Sequence, residues 1–365
     1  MLNAIGLMSG TSLDGIDVAM LRTDGEAVVE RGPARTYPYS ESQRQLLKGA
    51  IAEARTLIDR NARPGCLALA ERQLTDWHAL AVESFSAECN LNLGEIDVIG
   101  FHGQTVIHRP EIGLTVQLGD GPALARRLGR PVVYDMRGAD VAAGGQGAPL
   151  APVYHQALAA SVDKRPVAFV NIGGVANVTW IGGDGSLLAF DTGPGNALLD
   201  DWMLKHAGLA RDHNGALAAL GHIDHGVLAQ FTGDAFFEKA PPKSLDRNSF
   251  AAMNIAVLSP ADGAATLTAF TARSIAMSRD WFPQAPELWV ICGGGRHNAT
   301  LLKSIGSLLG DVRTAEQAGF DGDAMEAEAW AYLAVRALKG LPLTFPGATR
   351  VPQPTTGGVL CEPRT

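Results

Sequence analysis

"LNAIGLMSGTSLDGIDVAMLRT", Leu2 to Thr23, places an apolar strand, a turn dense in glycine, hydroxyl and carboxylate groups, and a return strand in direct succession. The turn is expected to use Gly10 and Gly15 at positive φ, as a tight hairpin allows. The same device recurs at "PVAFVNIGGVANVTWIGG", Pro166 to Gly183. Two copies of one hairpin in a single chain argue for two related domains.

Outward from the first hairpin, strands and helices alternate, which is the pattern of an α/β protein. Ser40 is positioned to cap a helix through "ESQRQLLKGAIAEART", and residues 67–89 form a second. "IDVIGFHGQT" reads as a strand entering a glycine turn. "LTVQLGDGPALARRLG" reads as a strand, an Asp120 cap and a helix with Pro122 in its first turn. "GADVAAGGQGAPLAP", Gly138 to Pro152, lacks a period and is expected to carry the chain from one domain to the next. Further helices are expected at about 196–207 and 261–280. "DAMEAEAWAYLAVRALKG" reads as an amphipathic helix ended by Gly340.

The 365 residues exceed what one core usually holds, so two domains are expected. At 46% hydrophobic and 19% charged the composition is that of a soluble globular protein, and the net charge of −8 argues against a nucleic-acid or anionic membrane surface. No apolar run approaches a membrane span, and the N-terminus does not read as a secretory signal. The four cysteines are scattered, which suggests reduced thiols in a cytoplasm.

Backbone N–H groups in glycine turns form concavities suited to phosphate. Three such turns follow apolar strands, near residues 10, 174 and 294. Ser9, Thr11 and Ser12 add hydroxyl donors at the first, and Asp14 or Asp17 can hold Mg²⁺, partly through water. "ICGGGRHN" would let an adenosine lie on the backbone, with Arg296 stacking or pairing. There is no G-x-x-x-x-G-K-[ST], so a P-loop is excluded, and "GPGNAL" is not a dinucleotide fingerprint. Asp191 in "FDTGPGN" is either a base beside a phosphate cradle or a cap for the helix near Asn196. His102 is either a sugar ligand or a satisfied turn histidine. Asp135, Arg137 and Asp140 read as sugar contacts or as a structural ion pair.

Together "GLMSGTSLDGIDVA", "GFHGQTVIHRP", "VQLGDG", "YDMRGADVAAGGQGAPLAP", "VNIGGVANVT", "FDTGPGN", "PPKS", "ATLTAFTA" and "CGGGRHN" resemble the anhydro-N-acetylmuramic acid kinase family. The likeness runs from about residue 5 to 340. It implies two related ribonuclease-H-like domains of the actin/Hsp70/sugar kinase fold with an interdomain cleft. The domains would be residues 1–137 plus about 341–365, and residues 138–340. It implies ATP and Mg²⁺, a small sugar substrate and a homodimer. Water would open the 1,6-anhydro ring while O6 is phosphorylated, in recovery of peptidoglycan sugar.

Residue by residue, the resemblance assigns Gly10, Thr11, Ser12, Leu13, Asp14, Gly15, Ile16 and Asp17 to the first phosphate block. It gives Gly173, Gly174 and Asn177 to the second, and Gly293, Gly294 and Gly295 to the adenosine block. Asp14 and Asp17 would face the metal. Asp191 matches the general base and Glu326 a second carboxylate, although Glu328 lies close by. His102, Gln104, Arg137, Gln146 and Pro149 would line the sugar pocket. "PPKSLDRNSF" departs from the family in having Asp246 where a glycine is usual. The competing readings are an ordinary sugar or carboxylate kinase, a silent sugar sensor, and a phosphatase or actin-like filament former.

Overall fold

A computed structural model of the chain describes residues 1–10, 12–246, 249–250, 255 and 257–363. It divides into two compact units, Met1–Ala160 with Asp323–Thr365, and Ser161–Gly322. The second is thus an insertion into the first.

The first unit holds strands β1 (Leu2–Ser9), β2 (Gly15–Thr23), β3 (Val29–Pro38), β4 (Val98–Arg109), β5 (Leu114–Leu118) and β6 (Val132–Tyr134). The second holds β7 (Val167–Ile172), β8 (Val175–Ile181), β9 (Leu187–Pro194), β10 (Leu288–Cys292) and β11 (Val312–Thr314). A last strand, β12 (Val359–Cys361), returns to the first sheet. The first sheet is ordered β12-β6-β4-β1-β2-β3 with β5 paired to β4, and the second β11-β10-β7-β8-β9. In each, two antiparallel hairpins lead from the central strand to one edge, and two parallel strands lie on its other side. The repeated hairpin is therefore the visible part of a repeated sheet, and the two units share the α/β plan of the actin/Hsp70/sugar kinase fold.

The first sheet is covered on both faces. Ile5, Leu7, Ile99 and Phe101 pack with Leu47, Leu74 and Phe85 of helices Glu41–Ala54 and Leu67–Glu88. Alternate residues face the other way. There Gly6 and Gly100 are partners across β1 and β4. A Cβ on either would stand 1.8 Å from the Ala327 carbonyl oxygen or 2.1 Å from that of Trp330. Glycine at both lets helix Met325–Leu338 lie directly on the strands. That helix is buried almost all round, not amphipathic, because its other side is also covered.

Other expectations need correction. Gly10 and Gly15 are not at positive φ; Leu13 is, at 55°. Gly15 is needed because a Cβ there would meet the Tyr37 carbonyl oxygen at 2.6 Å. "FHGQT" is not a strand end. β4 runs on to Arg109, and its register against β1 slips at this point, with Gly103 at φ 70°. Gly138 to Pro152 is no connector between units, since it lies wholly in the first. The units part at 160/161 and 322/323, inside the expected 137/138 and 340/341; the second boundary moves because helix Met325–Leu338 packs on the first sheet. The chain's last residues pack there too, β12 pairing antiparallel with β6. No helix among the described residues is long and apolar enough to cross a membrane.

Candidate active site

In the first unit the β1–β2 turn is closed by the Leu13 N–H on the Gly10 carbonyl at 3.2 Å. Ser12 Oγ donates to Asp14 Oδ1 at 2.8 Å. Asp17 lies on β2 opposite Thr36, whose hydroxyl donates to its Oδ1 at 2.6 Å. Burial, with the charges of Asp14, Glu326 and Asp323, pushes Asp17 up to about 6 despite the Thr36 bond. Thr11 lies outside the described residues.

The slip in β4 ties the next motif to this turn. Ser9 Oγ donates to the Gly103 carbonyl at 2.9 Å, and His102 Nδ1 reaches the Ser9 carbonyl at 3.3 Å. Arg137 donates to His102 Nε2 from Nε and Nη2, at 3.2 and 3.1 Å. His102 is therefore the neutral Nδ1–H tautomer, consistent with a pKa held well below its usual value by burial and by Arg137. Both ring nitrogens are used, so this histidine orients Arg137. Trp330, which sequence reading missed, backs both: its ring is 4.4 Å from His102 and 5.2 Å from the Arg137 guanidinium. Arg137 is drawn down to about 10 by burial, against the pull of Glu326 and Asp140.

The 143–149 loop is fixed from below. Asp140 accepts the Gly147 N–H at 2.6 Å and the Thr349 hydroxyl at 2.6 Å. Gln146 N–H bonds the Thr349 carbonyl at 2.7 Å, and Arg137 Nη1 bonds the Gly147 carbonyl at 2.9 Å. Asp140 is thus a brace for the segment holding Gln146 and Pro149. Asp135 pairs with Arg60 at 2.7 Å. Gln104 is fully buried, and its Oε1 has no hydrogen-bond partner within the described residues.

The structure separates the two glutamates. Glu328 is buried and accepts the Tyr154 hydroxyl at 2.7 Å, as a core group would. Glu326 is exposed in the first turn of its helix, and its charge acts on both Asp17 and Arg137.

In the second unit, the Gly173–Gly174 turn and the "DTGPGN" segment are one device. Asn196 N–H bonds the Gly173 carbonyl at 2.7 Å, and the Gly195 and Ala197 N–H groups bond that of Gly174 at 3.0 and 3.2 Å. A Cβ on Gly195 would lie 2.2 Å from the Gly173 carbonyl oxygen. Asn177 on β8 stands opposite Asp191 on β9, where the register slips. Such a bulge re-aims the adjoining side chains. Asp191 does not cap the following helix; its Oδ2 accepts the Leu245 N–H at 2.7 Å. Burial pushes it up to about 6, against the lowering effect of that amide. It is thus ionised at neutral pH yet more basic than an ordinary aspartate.

The third turn follows β10. Gly293 has φ 69°, and a Cβ on Gly295 would meet Ile172 at 2.4 Å, whereas one on Gly294 would reach only Asn196 Nδ2 at 3.9 Å. Arg296 is not available to stack. Its Nε bonds Glu316 at 2.8 Å and its Nη1 the Gly293 carbonyl at 3.0 Å, so it braces the turn. Each unit thus carries part of the predicted set. Asp14, Asp17, His102, Gln104, Arg137 and Glu326 fall in the first, and Asn177, Asp191 and the other two glycine turns in the second.

A sequence profile for anhydro-N-acetylmuramic acid kinase matches residues 2–362. Curated proteins of that name are similar over the full chain. The one from Bradyrhizobium diazoefficiens is 53% identical over 366 residues, covering 100% of both chains. One from Rhodopseudomonas palustris is 54% identical with the same coverage. One from Agrobacterium fabrum is 51% identical over 364 residues, covering 98% of each.

Proposed function

The chain belongs to the anhydro-N-acetylmuramic acid kinase family, and on that premise we propose that Asp191 is the base that drives its reaction. The enzyme is an ATP-dependent kinase. It hydrolytically opens the 1,6-anhydro ring of 1,6-anhydro-N-acetylmuramic acid and phosphorylates O6, giving N-acetylmuramic acid 6-phosphate and ADP in cell-wall recycling.

The substrate has no free hydroxyl at C6, so an ordinary hexokinase base would find no proton to take. Asp191 instead removes a proton from water as that water attacks C1, in the manner of a glycosidase base. The C1–O6 bond breaks and its electron pair goes to O6. O6 then attacks the γ-phosphorus, and the bond to the ADP oxygen breaks. Supporting this role is the position of Asp191: across from Asn177, beside the Gly173–Gly174 turn, with one carboxylate oxygen held by Leu245 and its pKa near 6.

The turns Gly10–Asp17 and Gly173–Gly174 would bind phosphates, and Gly293–Gly295 the adenosine. Asp14 and Asp17 would hold Mg²⁺, which neutralises phosphate charge. They suit it: burial and then the nearby Asp14 charge raise Asp17, and neighbouring carboxylates are hard-cation donors. No group of three His, Cys, Asp or Glu converges among the described residues, as fits an ion that keeps waters and takes its remaining ligands from phosphate. Arg137 and Gln104, with Gln146, Pro149 and Glu326, would recognise the sugar, His102 acting through Arg137. We infer a homodimer in the cytoplasm, as the family resemblance implies.

The test is the reaction in ¹⁸O water. The expected product is the 6-phosphorylated sugar carrying one ¹⁸O at C1. Label absent from C1, or ADP formed only with a reducing sugar, would transfer the assignment to an ordinary sugar kinase. The two glutamates give a second prediction. Glu326→Gln should lower kcat about 10²-fold with an unchanged melting temperature. Glu328→Leu should instead lower the melting temperature, since the buried Tyr154 hydroxyl loses its acceptor.

A further inference from the structure

A cavity of about 290 Å³ opens in the second unit, lined by Phe190, Thr192, Phe237, Ser274, Trp281 and Lys243, with Asp280 beside them. Phe190 and Thr192 flank Asp191 on β9, so their side chains point to the opposite face from its carboxylate. Lys243 is 7% exposed. A buried ammonium must be compensated. Here Nζ donates to the carbonyls of Phe236 and Phe237 at 3.1 and 3.3 Å. It also lies 4.7 Å from the Phe236 ring, 5.2 Å from Trp281 and 5.9 Å from Phe190. An aromatic cage of this kind stabilises a cation where water cannot.

The main chain of the same residue faces the other way. The Asp191 N–H donates to the Lys243 carbonyl at 2.9 Å. Two residues on, the Leu245 N–H holds Asp191 Oδ2 at 2.7 Å. Pro241–Asp246 has no helix or strand of its own to fix it. The lysine side chain is its anchor.

We propose that Lys243 is a positioning residue for Asp191: its caged ammonium pins the Pro241–Asp246 segment to β9, and through the Lys243 carbonyl and the Leu245 amide this segment aims the carboxylate at the attacking water. The proposal rests on Asp191 being the base. The ammonium is committed to two carbonyls and three aromatic faces, so Lys243 is not a nucleotide ligand. Misplacing a reacting group by about 1 Å costs on the order of 10²-fold in rate.

The test compares Lys243→Met with Asp191→Asn in the full-length enzyme. Methionine keeps the length of the side chain and loses the charge and both hydrogen bonds. The expected result is a fall in kcat of roughly 30- to 100-fold with both KM values within about twofold. The acid limb of the kcat/KM profile should also move to lower pH. Burial, the largest influence on Asp191, is relaxed when the segment loosens, and this outweighs loss of the Leu245 bond. The other charged groups near the anchor are Lys239, which adds to the burial that draws Lys243 down to about 8, and Asp280 in the cavity. If Asp191→Asn is inactive while Lys243→Met keeps wild-type kcat and an unmoved acid limb, the positioning role is overturned and the base stands. If Lys243→Met raises the KM for ATP with kcat unchanged, the residue is a nucleotide ligand and the proposal fails. If Asp191→Asn keeps wild-type activity, the base assignment fails first. Should Lys243→Met not fold, Phe236→Leu thins the cage and retains the lysine. It should lower kcat about 3- to 10-fold with the same shift of the acid limb, and wild-type values for both would refute the proposal.

Discussion

Asp191→Asn is expected to lower kcat about 10³- to 10⁴-fold, the upper part of the range in which a positioned general base contributes. The substitution is nearly isosteric, and an amide oxygen can still accept the Leu245 N–H. ATP binding, read by calorimetry, should therefore stay within a few-fold of wild type. Two pH measurements accompany it. A base of pKa about 6 gives kcat/KM that falls as pH drops through 6. Stability runs in the opposite sense. Asp191 has a native pKa raised above that of the unfolded chain, so the native state holds more proton between about pH 4 and 6. Wild-type stability from this group is thus lost as pH rises through that window, and the asparagine variant lacks the loss. A variant that is inactive at neutral pH yet melts no lower than wild type separates chemistry from folding. A variant retaining a tenth of wild-type kcat would end the assignment of Asp191 as base.

The largest effect on stability is expected from Gly100→Val. Its Cβ would stand 2.1 Å from the Trp330 carbonyl oxygen and 3.1 Å from the Ala334 Cβ. Backbone cannot yield as a flexible side chain does, so helix Met325–Leu338 must lift from β1 and β4. Overpacking of this kind costs about 3 kcal/mol or more. Hydrogen exchange of β1 and β4 reports it directly, with protection expected to fall by more than about 10²-fold. Gly306→Ala is the control. It sits in helix Ala299–Leu309 with nothing within 4 Å of an added Cβ, and helix propensity predicts a gain of about 0.5–1 kcal/mol. Protection unchanged in Gly100→Val would show that the helix is not seated on that face.

Much of this was legible in the chain itself. Apolar runs bounded by glycine gave the strands, and the repeated hairpin gave the paired sheets. Ser40 and Asp120 cap the helices they were expected to cap, through Gln43 and Ala123. The hidden parts depend on long-range register. Nothing local to Asp17 says that Thr36 lies across from it, nor does anything near Asp191 point to Asn177 or to the Leu245 amide. Glu326 and Glu328 sit two apart on one helix and have equal local merit; only the burial of Glu328 beside Tyr154 distinguishes them. Gly103 looked like a turn because a bulge and a turn make the same local demand for positive φ. Arg296 looked free to stack because its partner Glu316 is 20 residues away.

The way the first unit is assembled from both flanks of the second bears on how the protein is born. A ribosome delivers Met1–Ala160 first, but that segment meets its closing helix only after Ser161–Gly322 has been made. Until then the Gly6–Gly100 face of β1 and β4 has no cover. Domains usually mature in the order of synthesis; here the inserted unit, continuous in sequence, can finish before the one that began first. Thr349, which braces Asp140, and β12, which closes the edge at β6, emerge among the final residues. A nascent chain stalled shortly before them would hold Asp191 in a finished unit while the loop at Gln146 still lacked its support from Thr349.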